Sequence, residues 1–205
     1  MKTERLIRQM ELRALEGSEG PTYKIKGYAS TFEPYVLWTD GEIDYSEVID
    51  ARAFGDTDMS DVVLRIDHCG AVYARTKAEN LVVGTDDHGL WFEADLSRTE
   101  NQRRLFEDVE AGLYPQASFA FTVSSDDYDS KTHTRTITGI DKLYDVSPVS
   151  FPANPGTEVD VATRAFLDGA IEKDRAERLA IEQRELEQKR REELKKKILM
   201  ERIKK

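Results

Sequence analysis

A chain of 205 residues with 30 Lys/Arg, 40 Asp/Glu and a formal charge of −10 has room for one ordinary domain and an appendage. The charge is uneven: from Thr163 onward 14 Lys/Arg face 10 Asp/Glu, a balance of +4, which leaves −14 on residues 1–162. So acidic a body excludes nucleic-acid binding through it, the single Cys69 excludes an internal disulfide, and the lack of any long apolar run excludes a spanning helix.

The opening MKTERLIRQM is too poor in apolar residues for a secretory signal, so an intracellular chain without membrane association is expected. β-Branched and aromatic residues then predict strands at Tyr23–Phe32, Ile43–Ile49, Val62–Asp67, Asn80–Thr85 and Gly89–Leu96. One helix follows: Thr99 is a plausible N-cap, Leu105, Phe106, Val109 and Leu113 recur at helical spacing, and Gly112 and Pro115 stop it. Further strands are predicted at Gln116–Ser124 and Thr134–Ile140, with turns at Asp86–Gly89 and Asp126–Asp129. Many short strands with little helix between them predict a β-rich α+β body, a mostly antiparallel, closed or partly closed β-barrel with a few flanking helices.

Pro148, Pro152, Pro155 and Gly156 end that body, giving a barrel domain over 1–162 and a charged amphipathic helical tail over 163–205. Phe166–Lys205 contains no proline and only Gly169, so a long helix is expected. Leu179 and Leu186 lie seven apart, but the heptad pattern soon blurs. A coiled coil with a partner and a solvated helix held by pairs such as Glu193–Lys197 both remain open.

Strand alternation sorts the residues able to carry chemistry. Val62, Leu64, Ile66 and His68 are expected on one face, which puts the imidazole at the end of an apolar stripe and favours its neutral, proton-accepting form. In Gln116–Ser124, Phe119, Phe121 and Val123 make a core face, and Ser118, Ala120 and Thr122 a second face with room for a substrate chain. A serine hydroxyl is a weak nucleophile until a base takes its proton, so Ser118 needs a partner such as His68. Leu143, Asp145, Ser147 and Val149 share a face in Lys142–Val149, making Asp145 a candidate to orient the imidazole; Asp141 and Glu47 stay open as alternatives. His68, Cys69, His88 and His133 have no paired spacing for zinc, and Cys69 points away from its neighbour His68 in an extended strand. No phosphate-binding glycine loop is present.

Five segments in order give these residues a context: IKGYASTF at 25–32, EVIDARAFGD at 47–56, LRIDHCG at 64–70, GLWFEADL at 89–96 with EAGLYPQASFAF at 110–121, and LYDVSPVSFPANP at 143–155. Together they resemble the prohead protease family of tailed bacteriophages, which is distantly similar in fold to the herpesvirus capsid protease assemblin. The resemblance implies a serine endopeptidase with Ser118 as nucleophile, His68 as base and Asp145 as third member, although Cys69 stands where an acidic residue is more usual. It implies no metal and no cofactor. Its substrates would be the scaffold regions of the capsid protein and the protease's own ends, cleaved inside the procapsid in the host cytoplasm by a homo-oligomer. Backbone amides near Phe151–Asn154 are a candidate oxyanion hole. The competing reading is a non-catalytic capsid assembly or scaffolding protein that works through its helical tail. A carbohydrate- or nucleic-acid-binding barrel lacks the basic groove and aromatic platform it would need.

Overall fold

A computed structural model describes residues 4–8, 12–17, 20–39, 43–150 and 161–203. In chain order they form β1 (Glu4–Arg8), β2 (Leu12–Gly17), β3 (Gly20–Thr31), β4 (Tyr35–Thr39), β5 (Asp44–Ile49), β6 (Val63–Ile66), β7 (Cys69–Arg75), β8 (Leu81–Thr85), β9 (Gly89–Asp95), α1 (Glu100–Glu110), β10 (Gln116–Asp129), β11 (Thr134–Val149) and α2 (Val161–Ile203). The chain divides into two compact units, Met1–Thr163 and Arg164–Lys205. The β-rich body and the long C-terminal helix are both present.

The sixteen residues of β11 are long enough to serve three partners. Along one edge runs β10, antiparallel, from Gln116 opposite Val149 to Asp129 opposite Thr134. Along the other edge lie two parallel strands, β5 beside Thr134–Ile137 and β6 beside Asp145–Val146. β1, β4 and β7 extend the sheet beyond β10, β5 and β6, and β2-β3-β9-β8 make a second, antiparallel sheet.

The expected barrel does not form. A barrel needs one continuous ladder that returns to its first strand. Here β11 divides one edge between β5 and β6, so the larger sheet forks, and among the described residues no ladder joins β1 to β4 or β2 to β8. The body is built of two open sheets instead.

The core lies where β10 packs over β3. Phe119 and Phe121 stack with ring centroids 4.6 Å apart, and Ile25, Leu90 and Phe92 of the second sheet are wholly buried with them. The capping-box N-terminus of α1 is as expected, with Thr99 Oγ1 accepting from the Gln102 amide and the Gln102 side chain accepting from the Thr99 amide. Leu105, Phe106 and Val109 are buried, and Gln102 Nε2 donates to the Tyr73 carbonyl at 2.6 Å, tying α1 to β7. Leu113 departs from expectation: α1 ends at Glu110, Gly112 turns the chain at φ +76°, and Leu113 is exposed. The turn predicted at Asp126–Asp129 is strand, because ladder pairing with Thr134–Ile137 carries β10 on to Asp129.

In the second unit, Leu179, Ile181 and Leu186 are exposed. Leu179 and Leu186 share a face, while Ile181 lies about 200° away at roughly 100° per residue. No described helix is long and apolar enough to cross a membrane.

A buried ion cluster fixes the end of β11 remote from Asp145. Arg135 donates through Nη1 to Glu47 at 3.0 Å and through Nε to Asp126 at 2.5 Å, and the Tyr35 hydroxyl also donates to Glu47. The Glu47 side chain is 0% exposed, so its charge depends on these donors. Arg135→Ala takes the cation from a buried carboxylate and is expected to destabilise the body by about 3–5 kcal/mol, measured as a lowered urea midpoint.

Candidate active site

The site is built on the register of β10 and β11. Ser118 lies opposite Ser147, and Ala120 opposite Asp145, so all four side chains project from the same side of the sheet. β6 lies beside β11 with Val63 at Asp145 and Leu64 at Val146. Leu64 and Val146 are wholly buried on the core side, and the hairpin that follows β6 reaches the opposite side.

That hairpin brings in the histidine. Ile66 pairs with Cys69, leaving Asp67 and His68 as a two-residue turn with φ of 48° and 56°. Positive φ at both central residues suits the right-handed twist of the flanking strands, as in a type I′ turn. The reading of His68 as the end of an extended apolar stripe is therefore corrected: the strand stops at Ile66, and the left-handed backbone sets the direction of the imidazole. The turn is anchored to the end of β11. The Asp67 amide donates to the Pro148 carbonyl at 3.1 Å, and the Asp67 carboxylate accepts from the Ser150 amide at 2.9 Å and hydroxyl at 2.7 Å.

These constraints bring Ser118, His68 and Asp145 together. His68 Nδ1 lies 2.6 Å from Asp145 Oδ1, and His68 Nε2 lies 2.7 Å from Ser118 Oγ. The carboxylate can only accept, so Nδ1 carries the proton and Nε2 is left to accept from the serine hydroxyl. Ser147 Oγ also donates to Asp145 Oδ1, at 2.7 Å. Ser118 and Ser147 are 0% exposed, His68 4% and Asp145 6%, so this chain of hydrogen bonds is shielded from water. In such surroundings each bond is electrostatically stronger, and a missing partner is more damaging, than at a surface.

The two alternatives to Asp145 lie elsewhere. Glu47 is committed to Arg135 and Tyr35, and Asp141 is exposed on β11. Cys69 is exposed and makes no pair with His68, although the two are set apart by the turn and not by the strand alternation expected. The face expected to offer room for substrate is covered in this state, with Ser118, Ala120 and Thr122 at 0%, 2% and 1% exposure. The hairpin tip supplies part of the cover, since the His68 ring reaches the Ser118 hydroxyl from that side. Phe151–Asn154, the candidate oxyanion donors, lie outside the described residues.

Residue reading grouped Ser147 with Asp145 but gave it no role, and it missed Asp67. Ser147 carries a faint signal, since Asp-x-Ser on a strand puts both side chains on one face. Asp67 sits in IDHCG, where Asp followed closely by Gly is turn chemistry rather than strand chemistry. Close by, burial pushes the Tyr114 hydroxyl above its usual range, reinforced by the negative charges of Asp108 and Asp67.

A family model described as caudovirus prohead serine protease matches the chain over residues 8–170. Neither a curated protein nor a solved structure matches it. The family match takes in every strand from β2 to β11, α1 and every residue of the hydrogen-bonded chain, and on it the protein belongs to the caudovirus prohead serine proteases, enzymes of bacteriophage capsid maturation.

Proposed function

We propose that Ser118 is the nucleophile of this protease, His68 its general base and Asp145 the group that orients the imidazole. The observation that carries the proposal is the unbroken run from Ser118 Oγ through His68 to Asp145 at 2.7 and 2.6 Å. In the first step Oγ bonds to the scissile carbonyl carbon while its proton passes to Nε2. As the tetrahedral intermediate collapses, the C–N bond breaks, the imidazolium gives that proton to the leaving amine, and an acyl-serine remains. Water then attacks the ester with His68 again as base, and the serine is regenerated. Asp145 stabilises the imidazolium in both steps, and Ser147 holds the carboxylate in place.

Ser118→Ala is expected to lower kcat by at least about 10⁴-fold, and Asp145→Asn by about 10⁴-fold, because the amide favours the wrong imidazole tautomer. Cleavage of coexpressed capsid protein, followed by intact mass, reads both; undiminished cleavage by Ser118→Ala would refute the nucleophile.

The substrates on this reading are scaffold regions of the capsid subunits and the enzyme's own ends, cut within the procapsid. The family supports this class, and an acidic body that avoids packaged nucleic acid suits it. The buried hydroxyl fits an enzyme that is idle when dilute and exposes its serine on association with further copies. Labelling of Ser118 by a fluorophosphonate probe is expected to accelerate per molecule as protein concentration rises. A rate constant unchanged across a hundredfold dilution would count against association as the trigger.

Asp67 acts through the turn that carries His68. Asp67→Ala removes both bonds to Ser150 and is expected to lower kcat by about 10²-fold with a smaller change in KM, the signature of a displaced base. Asp67→Asn, which tolerates the same φ and can still accept from the Ser150 amide, should restore most of the loss. Equal losses in the two variants would show that the anchor does not set the geometry.

A further inference from the structure

The face of the larger sheet that bears Ser118 holds polar groups that the hydrogen-bonded chain does not use. Gln116 and Thr122 share that face with Ser118, two residues before it and four after, and Gln116 Oε1 and Thr122 Oγ1 are buried without a hydrogen-bond partner. Arg65 belongs to the same side. Val63 stands in register with Asp145, and alternation returns the next side chain but one to that side, in line with Ser147 and Ser118. Arg65 Nε is also buried and without a partner.

Among the arginines of residues 43–150 this is exceptional. Arg52, Arg75, Arg104 and Arg135 each meet a carboxylate, and Arg98 and Arg103 meet backbone carbonyls. A guanidinium left without an acceptor in a region carrying −14 is a donor fork held in reserve. Buried polar atoms are nearly always paired, so several orphans on one face, beside a nucleophile, point to a ligand that completes them. A peptide in extended form brings both main-chain donors and acceptors to such a face, and a carboxylate fits the guanidinium fork in two-point geometry.

We propose that Arg65 is a specificity-determining residue that receives an acidic side chain of the polypeptide substrate, with Gln116 and Thr122 contacting its main chain. The inference rests on Ser118 being the nucleophile. Arg65 lies two strand spacings from Ser118, about 10 Å at roughly 4.8 Å each, or about three extended residues. The acidic residue therefore lies within three positions of the scissile bond.

The test is a positional-scanning peptide library with Glu, Gln or Lys at each such position, incubated with the full chain and with Arg65→Gln and Arg65→Glu. The wild type is expected to cleave the Glu peptides at least tenfold faster in kcat/KM than the Gln isosteres at one position. Arg65→Gln should abolish that preference, and Arg65→Glu should transfer it to Lys. Binding anisotropy of fluorescein-labelled Glu and Lys peptides to Ser118→Ala, with and without Arg65→Gln, reads the same charge preference without cleavage, so it stands even if Ser118 is not the nucleophile. A Glu preference that survives both Arg65 variants, a loss shared equally by Glu, Gln and Lys peptides, or no charge preference in binding or cleavage would each overturn the proposal.

Discussion

The register between β10 and β11 is the constraint on which the site depends. Because Ser118 faces Ser147 and Ala120 faces Asp145, the serine and the carboxylate lie on adjacent strands, offset by two residues along them. Slipping the ladder by one residue would send one of the two to the core side, among Phe119, Phe121 and Val146. Those aromatic and aliphatic side chains hold the register, so the hydrophobic face of the sheet fixes the geometry of its polar face. The imidazole then has to bridge a gap that the backbone has already set.

Bridging that gap requires backbone that an ordinary strand lacks. Asp67 and His68 both lie at positive φ, which is uncommon outside glycine, though Asp and His tolerate it better than most. Such conformations are costly locally and persist where surrounding bonds over-determine them. Here the bonds run from Asp67 to Pro148 and Ser150, three and five residues beyond Asp145 at the same end of β11. His68 and Asp145 are thus both held by the short stretch Asp145–Ser150, which limits how far either can drift from the other.

This explains what could be read from the chain and what could not. Ser118, Ala120 and Thr122 could be assigned to one face from alternation alone, and the grouping of Asp145 with Ser147 followed in the same way, but the extra residue at Tyr144 sends Leu143, expected with them, to the side of Phe121. α1 was legible because its cap and its apolar spacing lie within a dozen residues. His68 was placed on an extended strand because VVLRID reads as strand and outweighs the turn signal of Asp67 and Gly70; the pairing of Ile66 with Cys69 ends the strand at Ile66. The barrel failed for a related reason. A count of strands carries no information about β11 dividing one edge between β5 and β6, a long-range choice made by residues far apart in sequence. β1, β2, β4 and β7 escaped notice because their short stretches are edge or near-edge strands with weak alternation.

The five segments behind the family resemblance are separate in sequence but paired in space, which is why their joint order says more than any one of them. Residues 25–31 pair with 89–94 as β3 and β9. Gly89 is needed at that junction because any Cβ there would strike the Ser30 carbonyl. The remaining segments all converge on β11: 116–121 pairs with 143–149, Val63 and Leu64 pair with Asp145 and Val146, and Asp50 and Ala53 exchange backbone bonds with Ile137 and Ile140. A segment that must match a partner across a ladder, beside a buried hydrogen-bonded chain, has few acceptable sequences. The helical tail, with no such ladder to satisfy, has many, and its composition of Glu, Lys, Arg and Leu is correspondingly permissive. What identifies this family in a single sequence is therefore the set of contacts around β11, with Ser118, His68 and Asp145 embedded among them.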